Sequence, residues 1–202
     1  MDITREHLEF WRRIQVELSN SSVDIAVFFP IYTLIPHASY PTQFQQASEA
    51  LSYVVKDLGR NPQDIILAGD SAGGNLCIAI ISHLSHPSRD IPRVEIETCL
   101  RGMILISPWV SFDTSWPSMT YNLGKDIDAI ETLRDWAHSY LNGRAGDNNS
   151  EPVLAPVDWW KGAQVDRTLV VAGSDEVFID SIRAWTENFK VSIAVPLSIK
   201  SS

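Results

Sequence analysis

The chain has 202 residues, 45% of them apolar and 20% charged, with a formal charge of −9 at neutral pH. That balance excludes a disordered chain and suits a globular protein with a core of its own. The acidity excludes nucleic acid as a partner, because phosphate binding needs a basic patch, and the lack of an apolar run of about 18 residues excludes a membrane span.

The N-terminal stretch "MDITREHLEFWRR" has no apolar core of the kind a secretory signal carries. Leu8, Trp11, Ile14 and Leu18 recur at helical spacing and predict a helix from Thr4 to about Leu18. "DIAVFFP" reads as a buried strand near 24–30, closed by Pro30. A second helix opens at Pro41, lines one face with Phe44, Ala47, Leu51, Val54, Val55 and Leu58, and stops at Gly59. Further apolar runs predict strands near 64–69, 101–107 and 168–172, and a last one near 191–196. Helices are expected at 71–84, around "DAIETLRDWAHSYL", and from about Ile179 to Phe189.

Helices alternating with wholly apolar strands indicate an α/β fold, a mostly parallel sheet covered on both faces. Residues 109–164 hold five of the seven tryptophans and read as an excursion over the sheet within a single domain spanning 1–202. Those tryptophans either line a substrate pocket or pack the core. Cys77 and Cys99 are few and far apart, which suits a reducing compartment, the cytoplasm, and no disulfide.

The densest chemistry follows the run "DIILA". "GDSAGGN" fits G-x-S-x-G as Gly69-Asp70-Ser71-Ala72-Gly73, with Gly74 next. A strand before it and a helix after it are what a nucleophile elbow requires. Ser71 would stand on a strained bend, with Gly69 and Gly73 removing side chains that would collide across it. The Ala72 N–H would face a developing oxyanion. The alternatives are a glycine-rich turn that binds phosphate and a turn that merely joins two elements.

The sequence "GDSAGGNL" resembles the nucleophile motif of the hormone-sensitive-lipase-like branch of the α/β-hydrolase fold. "YTLIPHASYP", "LISPWVSFD" and "LVVAGSDEVFID" are similar to three further segments of that branch, so the likeness runs from about Glu6 to Lys190. It implies an esterase or deacetylase acting on small or medium acyl esters, with no metal and no organic cofactor. It maps the triad acid onto Asp175; Asp180, the competing carboxylate, belongs better to the first turn of the following helix.

The family's triad ends in a histidine after the acid, and no histidine follows Asp175. His7, His37, His83, His86 and His138 all come earlier, and His83 lies about 18 Å of helix from Ser71. The family's H-G-G-G oxyanion loop is missing too. The resemblance therefore implies a member truncated at both ends, inactive or weakly active. In the family's strand order the missing strand lies between 24–30 and 64–69, so its loss exposes apolar edges and favours self-association. A receptor-like, non-catalytic homologue that binds a small ligand and a non-functional fragment are the competing readings.

Overall fold

The computed structural model describes residues 4–192 and the backbone of a final strand, Leu197–Lys200. Helix α1 (Arg5–Asn20) starts in a capping box: the Thr4 hydroxyl accepts from the His7 N–H, and the His7 ring accepts from the Thr4 N–H. Two of the four orphan amide groups of a helix start are thereby met.

Residues 24–30 correct the sequence reading: they run extended but form no strand. Ile25, Val27 and Phe29 are half-buried while Ala26 and Phe28 are exposed, so the alternation of a strand is present without a ladder. A strand is defined by a partner, and among the described residues this segment has none. The Gln15 side chain instead donates to the Ile25 carbonyl at 2.8 Å.

Helix α2 (Thr42–Ser52) buries Phe44, Ala47 and Leu51, then loosens into a π-helical turn, Tyr53–Asp57. Gly59 closes the segment at φ +61°, a conformation that glycine adopts without penalty.

Strands β1 (Ile66–Asp70), β2 (Gly102–Ile106), β3 (Thr168–Val171) and β4 (Leu197–Lys200) form one parallel sheet in the order β1-β2-β3-β4. Ile66 lies opposite Gly102, Met103 opposite Thr168, and Thr168 opposite Leu197. The strand expected near 191–196 is displaced: helix α6 (Ile179–Ser192) runs through the first two of those residues, and 193–196 lie outside the described residues.

Met103, Leu105 and Val170 are buried at the sheet centre, whereas Ile66 on β1 is half-exposed. Among the described residues β1 pairs on one side alone. Helix α3 (Ala72–Ser85) packs on β1 and β2, with α2 against α3. The parallel strands all release their chain at one end of the sheet, where ligands of such folds are held.

Between β2 and β3 the chain forms two helices, α4 (Pro117–Tyr121) and α5 (Ile130–Leu141). The buried Asn75 amide fastens this stretch to α3 by donating to the carbonyls of Trp109 and Ser150, both at 2.8 Å. Most of its tryptophans pack rather than line a pocket. Trp160 lies buried against Trp185 and Phe189, and Trp159 stacks on His86 at 3.8 Å between ring centroids.

Candidate active site

Ser71 is the single residue between β1 and α3, with φ 51° and ψ −113°. A non-glycine residue in that region costs about 1–3 kcal/mol and persists only where its surroundings over-determine it. Here the Ser71 N–H donates to Ile106 O at 2.9 Å, and its carbonyl accepts from Asn75 and Trp109 N–H, both at 3.1 Å.

The glycines divide the work differently from the sequence expectation. A Cβ on Gly69 would overlap the carbonyl of Gly73 and lie 2.6 Å from Gly74 N. A Cβ on Gly74 would meet Pro108 Cβ at 2.9 Å. Gly73 has open space around it, so the collision expected there is corrected to Gly74. The Ala72 N–H, at the positive end of α3, takes no acceptor among the described residues.

Asp70 turns toward α1, with its carboxylate 3.4 Å from His7 Nε2. Among the described residues none of the five histidines bonds to the Ser71 hydroxyl. His83 is buried, its ring held between Pro92 O and Ser88 N–H, and His86 bonds to Trp159 O. His37 and His138 are exposed.

Beyond β3 the loop 173–176 presents two adjacent acids with opposite fates. Asp175 is 70% exposed and pairs with Lys125 Nζ at 3.0 Å. Glu176 turns inward: its Oε1 accepts from Ser107 Oγ at 2.7 Å and from Gly173 N–H at 2.6 Å, and its Oε2 is buried with no donor among the described residues. Asp180 sits in the first turn of α6, as expected, accepting from Ser118 N–H and the Tyr121 hydroxyl at 2.9 Å each.

The loop 125–128 covers this end of the sheet, tied down where Asp126 accepts the Val177 N–H at 2.7 Å. A depression of about 310 Å³ lies between residues 125–127 and 173–176 and does not include Ser71. The sequence reading did not single out Glu176 or Ser107. The available signal was the apolar run Val177–Phe178–Ile179 directly after Glu176, which carries the chain into the core.

Burial, then the negative charges of Asp126, Glu176 and Asp70, raise the Asp128 carboxyl above its ordinary range. A carboxyl raised on folding weakens the fold where it is ionised and stops doing so as pH falls through its folded value. Asp128→Asn is thus expected to raise the melting temperature at pH 7 by about 1–2 °C, a small effect because the charge is partly screened. The gain should vanish in acid, and thermal unfolding followed across pH measures both.

A family model described as the alpha/beta hydrolase fold matches residues 7–200. The chain belongs to the α/β-hydrolase fold family. It is similar to esterases. One from Acinetobacter venetianus is 29% identical over 182 residues, 87% of this chain and 54% of that one. One from Gibberella moniliformis is 44% identical over 115 residues, 55% of this chain and 33% of that one. The crystal structure of an esterase from the bacterial hormone-sensitive lipase family superposes with a TM-score of 0.69 at 26% identity, covering 84% of this chain and 54% of the other. This α/β-hydrolase chain spans about half the length of such relatives, or less. Among the described residues no helix is long and apolar enough to cross a membrane.

Proposed function

We propose that this chain carries the nucleophile and part of the oxyanion site of a serine carboxylic-ester hydrolase for small or medium acyl esters. The observation that carries the reading is Ser71: a non-glycine residue held at positive φ on a strand-to-helix bend, beside an unengaged helix-start N–H. In the reaction Ser71 Oγ bonds to the acyl carbon and the carbonyl becomes an oxyanion facing the Ala72 N–H. The ester C–O bond then breaks, and the alcohol leaves with the proton given up by the serine. Water cleaves the acyl-serine in turn, releasing the carboxylic acid.

A fluorophosphonate probe tests the nucleophile. With no base beside the serine, the adduct is expected to form slowly, over prolonged exposure to the probe, on the peptide containing Ser71, and to be lost in Ser71→Ala and on unfolding. A second reading, a non-catalytic binder of small ligands, draws on one observation: among the described residues none of the five histidines is hydrogen-bonded to the Ser71 hydroxyl. Saturable binding of a small ester without any adduct would favour that reading.

A further inference from the structure

We infer that Glu176, and not Asp175, is the positioning residue that would receive an imidazole N–H beside Ser71. The inference rests on the reading of Ser71 as a nucleophile. A carboxylate that orients an imidazole needs one oxygen held by the protein and the other facing the ring. Glu176 has that division. Ser107 Oγ and the Gly173 N–H fix Oε1, while Oε2 is buried and takes no donor among the described residues. A buried acceptor without a donor is rare and costly, so it marks a place where a donor belongs.

Asp175 lacks both properties. Its side chain is largely exposed and already paired with Lys125 across the loop 125–128. An ion pair in water holds a carboxylate loosely.

Position supports the same choice. The Ser71 N–H is bonded to the end of β2 at Ile106, and the residue that follows β2, Ser107, bonds to Glu176. The nucleophile and the buried acid therefore leave the two strands that flank β2, about 10 Å apart. A planar ring lying over the end of β2, with a nitrogen at each edge, is a group suited to reach both.

The surroundings favour a ring that becomes a cation. Asp70, Asp126 and Glu176 all lie near enough to Asp128 to add, after burial, to the raising of its carboxyl. Such a field stabilises an imidazolium, formed when the ring takes the serine proton.

Free imidazole is the probe, used with the full 202-residue chain. The readout is the rate at which the fluorophosphonate labels Ser71, followed by mass spectrometry with and without imidazole. Imidazole is expected to accelerate labelling of the unaltered chain. Glu176→Gln is expected to lose about a hundredfold of the imidazole-dependent rate. Asp175→Asn should keep it within about twofold, and Glu176→Asp should recover part of it. Where Glu176→Gln melts at a lower temperature, the comparison of Glu176→Asp with Asp175→Asn decides.

Loss of the acceleration in Asp175→Asn with retention in Glu176→Gln would overturn the inference. So would labelling of Ser71 that imidazole leaves unchanged. An unlabelled Ser71 is a different failure, that of the nucleophile itself.

Discussion

Turnover of a fluorogenic short-chain ester by the 202-residue chain is expected to run roughly 10⁶-fold below that of a complete serine triad, the loss that removal of the histidine alone produces. The reason lies in the serine. Its hydroxyl is a weak nucleophile unless a base takes the proton as the new bond forms. The chain has five histidines, all within the described residues, and each is committed elsewhere or exposed. His7 faces Asp70 and caps α1, His83 is locked in a buried pair of hydrogen bonds, and His86 is stacked under Trp159. What remains is the strained serine and the helix-start N–H, which favour the first bond without removing the proton. The assay uses Ser71→Ala as its blank. Turnover at ordinary esterase rates that vanishes in that variant would show a base near Ser71 that this arrangement lacks.

Gly69→Ala is expected to abolish folding or to destabilise the protein by more than about 3 kcal/mol. The added methyl would overlap the Gly73 carbonyl and approach Gly74 N, which are main-chain atoms of the first turn of α3. No flexible side chain is available to yield. Relief would require moving α3 off β1, together with the bonds that hold Ser71 to Ile106, Asn75 and Trp109. Gly73→Ala supplies the internal control. It sits in the same helix turn with open space around it, and alanine in place of glycine there should add up to about 1 kcal/mol. Urea unfolding of the two variants, with the soluble yield of each, gives the comparison. Equal stability of the pair would mean that the elbow is looser than the close approach of Gly69 to Gly73 requires.

The elbow was legible because its signal is local. Glycines around a serine, between an apolar strand and an apolar helix, state the backbone requirement within seven residues. The alternation of helices and apolar runs was equally local, and it yielded β1, β2, β3, α3 and α5 to within a few residues, though not the short α4. Residues 24–30 misled for the opposite reason. Their apolar character is that of a strand, but pairing depends on a neighbour that the pattern within a segment does not report. The two adjacent acids show the same division. The sequence places both after β3, while which one turns inward depends on Ser107 and Lys125, 69 and 50 residues away respectively. The role of Gly74 depended in turn on Pro108 at the end of another strand.

Among the described residues β1 pairs on one side alone, and association through its open rim is expected to make rates and melting temperatures depend on protein concentration. That rim holds main-chain donors and acceptors along a half-exposed run, and such rims join readily to extended segments of other molecules. A rate or melting temperature taken at one protein concentration is then a single point on a curve. Its limit at infinite dilution is the property that belongs to the lone chain.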